Sequence, residues 1–147
     1  MSDLEALYQE LVLDHSKRPQ GKGLVGDEGA EGTADSHQRN PICGDEITLR
    51  VRLDGERIAE VSWDGAGCSI SQASASMLTD LVVGRTTEEA AELVDGFREA
   101  LRSRGAIELD EEVYGDAAAL TGVSRYVARV KCAMLAWVAL EDAARRA

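Results

Sequence analysis

Aromatic residues and prolines are scarce in this chain: aromatics make up 4% of its 147 residues, and there are two prolines. The core must therefore be built mainly from aliphatic side chains. No apolar run approaches the roughly 20 residues that a membrane-spanning helix needs. The segment Met1–Glu5 also lacks the basic and apolar regions of a signal peptide. We therefore expect a cytoplasmic protein that does not enter a membrane.

Basic residues are also in short supply, with 16 against 27 acidic residues and a net charge of −11. Nucleic-acid binding depends on Lys and Arg neutralising phosphates, so this composition argues against a nucleic-acid partner. The acidity favours solubility, with a basic protein partner as the alternative. The length predicts a single domain over residues 1–147.

Hydrophobic periodicity predicts helices separated by one β-hairpin. Helices are expected at 3–17, 69–83 and 86–101, with a short one near 116–120 and a last one that has Cys132 at or just before its first turn. Alternating residues predict strands at 47–53 and 59–63, joined by a turn at Asp54-Gly55. Residues 20–40 hold five glycines and few large apolar groups, so they are expected to form a long loop.

The three cysteines are the most informative residues for function. An odd number cannot all pair as disulfides, and no Cys-x-x-Cys pair is present. Cys43 precedes one predicted strand and Cys68 follows its hairpin partner, so both should lie at the same end of the pair. With Cys132 and the nearby Asp45, three thiolates and a carboxylate can close a tetrahedral site for a thiophilic metal. Free cysteines are also common in cores, and the spacing alone leaves that interpretation open.

Other polar residues have a structural interpretation beside a functional one. His15 is expected to have a surface or packing role, and His37, in the predicted loop, is an alternative ligand. The serines of 71–76 suggest close helix packing, since nothing in the sequence indicates a Ser–His–Asp arrangement. Arg129 and Lys131 precede Cys132; they form either a solvated helix start or a group that lowers a thiol pKa or holds a partner.

Segments spread over nearly the whole chain carry a family resemblance. They are Leu7-Tyr8 with Leu13-Asp14-His15, then Asn40-Pro41-Ile42-Cys43-Gly44-Asp45, then residues 67–76, and finally residues 130–137. They resemble the IscU-like (NifU N-terminal) iron–sulfur cluster assembly family, and most closely its SufU branch. The resemblance implies an α+β fold, in which helices pack on one side of a small antiparallel β-sheet. It also implies a zinc site made by Cys43, Asp45, Cys68 and Cys132, with Cys43 as the persulfide acceptor.

The resemblance further implies a zinc-dependent sulfur acceptor for a PLP-dependent cysteine desulfurase of the SufS type, which passes sulfur on to downstream SUF scaffold proteins. One alternative is a scaffold that binds iron as a transient [2Fe–2S] cluster; another is a structural zinc domain. Two departures from the scaffold branch favour sulfur transfer: Lys131 replaces a histidine, and an extra helical segment is expected around 99–121. Arg129 and Lys131 would offset the thiolate charge and help dock the desulfurase. Whether such a carrier acts as an enzyme stays open at this point.

Overall fold

The computed structural model describes residues 3–41 and 44–147. Its elements are α1 (Asp3–Lys17), β1 (Thr33–Asn40), β2 (Asp45–Asp54), β3 (Arg57–Ala66), α2 (Ser69–Val82), α3 (Thr87–Arg102), the short α4 (Glu111–Tyr114), a 3₁₀ segment (Gly115–Arg125) and α5 (Val127–Arg146). Among these helices none has the length and apolarity that crossing a membrane requires. The predicted α+β class is confirmed.

The sheet formed by the described residues has three antiparallel strands in the order β1-β2-β3. Leu49 lies opposite Trp63 and Val51 opposite Val61, and all four side chains are buried. Because successive side chains of a strand point to opposite faces, this alternation turns one face of the sheet towards the helices. The predicted turn at Asp54-Gly55 joins the two strands.

Helix α5 connects the sheet to the other helices, since it packs on β1, β2, α2 and α3. Its Trp137 is fully buried and stacks on Phe97 of α3, with ring centroids 3.7 Å apart and planes 3° from parallel. The Trp137 Nε1–H donates to Ser74 Oγ of α2 at 2.8 Å. These contacts fix α5 against α2 and thereby set where Cys132 lies relative to the start of α2.

The prediction of one long loop over residues 20–40 is wrong for its second half. Thr33–Asn40 form β1, which pairs with β2 along its whole length. This strand contains no aliphatic β-branched or aromatic residue, so the usual strand signal is missing. Polar contacts hold it in place instead: Ser36 donates to Asp142 of α5 at 2.8 Å, and Asp35 pairs with Arg50 at 2.8 Å.

The first half of that segment is a loop, but it is packed along the free edge of β3. The Trp63 N–H donates to the Gly21 carbonyl at 2.9 Å, and the Gly23 N–H donates to the Trp63 carbonyl at 2.7 Å. Gly21 has a φ of +77°, and a Cβ there would lie 2.7 Å from Thr79 Cγ2. The loop therefore covers backbone groups that an exposed edge strand would leave unpaired.

The helices expected at 3–17, 69–83 and 86–101 are confirmed to within one residue, and Thr86 caps α3. The last third of the chain needs two corrections. The helix expected at 116–120 is a 3₁₀ segment that follows α4. Helix α5 begins at Val127, so Cys132 lies in its interior and not at or before its first turn. The cap residue Tyr126 makes no side-chain capping bond, and the sequence therefore lacks the usual start signal there.

Candidate metal centre

Asp45 and Cys68 meet at one end of the β2–β3 hairpin. Asp45 is the first residue of β2, and Cys68 follows β3 and caps the N-terminus of α2. The Cys68 backbone N–H donates to Asp45 Oδ1 at 3.1 Å, and Cys68 Sγ lies 3.5 Å from Asp45 Oδ2. Asp45 is only 2% exposed, whereas Cys68 is half-buried. A buried carboxylate is costly without such partners.

Cys132 of α5 lies close to the same two residues. It lies on α5, is 1% exposed, and has its Sγ 3.8 Å from the Ala128 carbonyl oxygen one turn earlier. The packing of α5 on α2 and β2 brings this side chain to the end of the hairpin. The residues come from three elements that are far apart in sequence, so the tertiary fold assembles the group.

The donor atoms of Asp45, Cys68 and Cys132 all lie within 4.8 Å of one another. In a tetrahedral zinc shell with Zn–S bonds of about 2.3 Å and Zn–O bonds of about 2.1 Å, donors are roughly 3.5–3.8 Å apart. The 3.5 Å between Cys68 Sγ and Asp45 Oδ2 already matches that spacing. Two sulfurs and one carboxylate suit zinc or iron better than magnesium or calcium. The described residues therefore fit three corners of a thiophilic metal site.

Cys43, the predicted fourth ligand and sulfur acceptor, lies outside the described residues. The chain on either side of it is described. The Gly44 N–H donates to the Asn40 carbonyl at 2.9 Å, and Gly44 has a φ of +74°, which favours glycine. Asn40 pairs with Asp45 across β1 and β2. The connection that contains Cys43 thus joins the strands at the end where Asp45 lies.

His15 has the packing role that the sequence predicts. It is 7% exposed, with Nδ1 2.7 Å from Ser76 Oγ and Nε2 2.9 Å from Asp116 Oδ2. Sequence reasoning missed this Ser–His–Asp contact, because the residues are separated by 61 and 101 positions. Ser76 is fully buried, and its Oγ also accepts the Gln20 N–H at 2.7 Å. The contact therefore connects α1, α2 and the 3₁₀ segment, and it does not present a nucleophile to solvent.

His37 lies on β1 and not in a loop. Its Nδ1 is 2.8 Å from the hydroxyl of Thr48, its cross-strand partner, and its ring is exposed. The metal-binding group identified among the described residues contains no histidine.

Arg129 and Lys131 are exposed on the N-terminal part of α5. Within the part of the chain that the structure describes, neither makes an ion pair or a side-chain hydrogen bond. Both charges are therefore available for an incoming group, on a chain whose net charge is −11.

The fold and this donor group define a known class of protein. Residues 7–143 match the sequence profile of the NifU-like N terminal domain family. The chain belongs to this family, which confirms the family resemblance and places the protein among IscU/SufU-like iron–sulfur cluster assembly proteins.

Two relatives that match nearly the whole chain carry different descriptions. The iron–sulfur cluster assembly scaffold protein IscU of Streptococcus pyogenes serotype M1 is 40% identical over 99% of this chain and 87% of its own length. The zinc-dependent sulfurtransferase SufU of Bacillus subtilis is 39% identical over 95% of this chain and 90% of its own length. The crystal structure of FiSufU from Fervidobacterium islandicum AW-1 superposes with a TM-score of 0.81 at 34% identity, covering 95% of this chain and 98% of that one.

Proposed function

We propose that this protein is a zinc-dependent persulfide acceptor. It takes sulfur from a PLP-dependent cysteine desulfurase of the SufS type and passes it on for iron–sulfur cluster assembly. The observation that carries the proposal is the group formed by Asp45, Cys68 and Cys132. Its donor chemistry and spacing support zinc, and the Bacillus subtilis relative is named a zinc-dependent sulfurtransferase.

Cys43 is the fourth ligand and the acceptor in this proposal. A single residue separates it from Asp45 in the sequence, so covalent geometry limits the distance between the Cα atoms of the two residues to about 7 Å. Its neighbours Pro41 and Gly44 are exposed, whereas Asp45 and Cys132 are buried. This difference suits a division of roles, in which Asp45, Cys68 and Cys132 hold the ion and Cys43 meets the partner. Bound zinc would keep the cysteine sulfurs as thiolates at neutral pH and would add no redox chemistry.

The sulfur transfer is a thiol–persulfide exchange with no external oxidant. The Cys43 thiolate attacks the outer sulfur of the desulfurase persulfide, and a new S–S bond forms on Cys43. The S–S bond to the desulfurase cysteine breaks at the same time, and that cysteine leaves as a thiolate. The proton on the outer sulfur stays with it, so atoms and charge balance.

Mass spectrometry after incubation with the desulfurase and L-cysteine tests the acceptor. One extra sulfur is expected on Cys43, together with faster alanine production by the desulfurase when zinc-loaded protein is added. Cys43→Ser should abolish both effects. Extra sulfur found only on Cys68 or Cys132 would assign the role elsewhere.

Metal analysis tests the ligand set separately. Cys68→Ala and Cys132→Ala should each lose zinc and the stabilisation that zinc provides, since binding at a folded site adds to folding energy. Full zinc retention in both variants contradicts the proposed site. The proposed site is also contradicted if zinc loading does not raise the melting temperature of the parent protein.

Docking of the desulfurase is assigned to the exposed charges of Arg129 and Lys131. Lys131→Glu should raise the desulfurase concentration needed for half-maximal stimulation, most strongly at low salt. Arg102→Glu on α3 makes the same charge change at another exposed position and serves as the control. An equal effect of both variants would indicate a response to net charge alone.

A scaffold for a transient [2Fe–2S] cluster is the second candidate, because the Streptococcus pyogenes relative carries that name at similar identity. The same sulfurs and carboxylate can hold such a cluster as cargo. If zinc-loaded protein leaves desulfurase turnover unchanged, while an anaerobically reconstituted cluster is stable and passes intact to an apo-protein, the scaffold function replaces our proposal.

A further inference from the structure

The backbone at Gly67-Cys68 lies directly beside the carboxylate of Asp45. We propose that this backbone segment positions the carboxylate: Oδ1 is held by the Cys68 N–H, Oδ2 faces the Cys68 sulfur, and Gly67 is required because a side chain would displace the group. Gly67 is thus a positioning residue. Its consequence for metal binding rests on the proposed function, but the positioning itself does not.

The two oxygens of Asp45 have different partners. As the cap of α2, Cys68 has an N–H with no acceptor inside its own helix, and this N–H donates to Oδ1 at 3.1 Å. Oδ2 lies 3.5 Å from Cys68 Sγ. Among the described contacts, the Cys68 N–H therefore anchors Oδ1, and Oδ2 is the oxygen beside the Cys68 sulfur.

Gly67 is required for space and not for its backbone conformation. A Cβ at this position would lie 2.8 Å from Asp45 Oδ1, 2.9 Å from Asp45 Cγ and 2.3 Å from Ser71 Oγ, and its φ is not in the left-handed region. Asp45 is 2% exposed, so its carboxylate cannot move into solvent without rearranging the buried site. Gly44 shows the opposite case, with a φ of +74° and no described residue within 4 Å of a Cβ other than its chain neighbours.

Ser71 is the second group that a Cβ on Gly67 would meet. Any test must therefore distinguish the effect of a clash with Ser71 from that of a clash with Asp45. Its hydroxyl donates to the Cys68 carbonyl at 3.1 Å and lies 3.9 Å from Cys68 Sγ. Ser71→Ala removes this hydroxyl. In that background, the nearest atoms to a Cβ at residue 67 are those of the Asp45 carboxylate.

Hydrogen exchange of the Cys68 amide tests the anchor in metal-free protein. Exchange should be slow in the Ser71→Ala parent and faster by at least tenfold once Asp45→Ala or Gly67→Ala is added. Gly122→Ala is the matched control, since a Cβ there would meet no described residue outside its own segment within 4 Å and its φ is not left-handed; it should leave the rate unchanged. A Cys68 amide that stays protected after Asp45→Ala overturns the proposal.

Zinc affinity, measured by competition with a chelator, tests the consequence for the site. In the Ser71→Ala background, adding Gly67→Ala should weaken zinc binding by about 10- to 100-fold, the usual effect of losing a ligand-orienting contact. The same change after Asp45→Ala should have little further effect, because the displaced group is already gone. Equal losses in both backgrounds, or no loss in either, overturn the inference. A parent protein that binds no zinc contradicts the proposed function, and the amide exchange then decides the positioning alone.

Discussion

Ser74→Ala tests the contact that fixes α5 against α2. Ser74 is fully buried; its Oγ donates to the Ala133 carbonyl at 2.6 Å and accepts the Trp137 Nε1–H at 2.8 Å. Both partners lie on α5, and Ala133 is the neighbour of Cys132. The hydroxyl therefore connects the helix that begins beside Cys68 to the helix that carries Cys132.

The expected cost of Ser74→Ala comes mainly from the Trp137 indole. Ala133 lies inside α5, so its carbonyl keeps an intrahelical hydrogen bond. The Trp137 side chain is 0% exposed and would lose its partner. An unsatisfied buried donor costs about 1–3 kcal/mol. For a chain of this size, that corresponds to a fall in melting temperature of roughly 3–10 °C.

Urea and thermal unfolding of the metal-free protein measure the effect of Ser74→Ala. Ser16→Ala, which removes an exposed hydroxyl bonded to the Leu13 carbonyl, is the control and should stay within about 0.5 kcal/mol of wild type. After Trp137→Phe the indole donor no longer exists, and Ser74→Ala should then cost less by about 1 kcal/mol or more. Equal costs in both backgrounds refute the reasoning.

Three further variants probe other contacts. His15→Ala should lower the free energy of unfolding by about 1–3 kcal/mol in urea titrations, because a buried contact between three elements is lost; an unchanged midpoint contradicts this. Thr86→Ala removes a capping box with Glu89 and should cost about 1 kcal/mol, whereas a value near zero means that the box is dispensable. Hydrogen bonding to Arg146 lowers the pKa of Asp142 in the folded protein below its ordinary value of 3.8. The ionised carboxylate therefore stabilises the fold at pH values above 3.8. This contribution is lost as the pH falls through the pKa of the folded state. Asp142→Asn should therefore lower the free energy of unfolding at pH 7, and this loss should shrink towards pH 3. A loss that does not change with pH contradicts this prediction.

Local sequence signals predicted the elements that carry their own pattern. Alternating apolar residues give β2 and β3, and the Thr86–Glu89 capping box gives the start of α3 to within one residue. The same hairpin pattern predicted that Cys68 would lie at the end of the sheet that carries the site. These features depend on residues close together in the chain, and so the sequence reports them directly.

Long-range contacts determine the features that sequence reasoning missed. Strand β1 is polar apart from Ala34, and its place depends on backbone pairing with β2 and on the bond from Ser36 to Asp142, 106 residues away. The start of α5 at Val127 likewise depends on packing, because Tyr126 offers no side-chain cap. Intrinsic propensity is a weak guide where tertiary contacts decide the conformation.

Gly44 and Gly67 show why the sequence identifies candidate site residues but does not show what each neighbouring glycine does. Each adjoins a cysteine, so the sequence alone does not distinguish the roles of the two glycines. The structure separates them: Gly44 adopts a left-handed φ of +74°, whereas Gly67 leaves room for the carboxylate of Asp45. The first requirement is local to the chain. The second exists only once β2 and the start of α2 have come together. A substitution at Gly67 should therefore displace the carboxylate of Asp45, whereas the same substitution at Gly44 should strain the backbone of the turn.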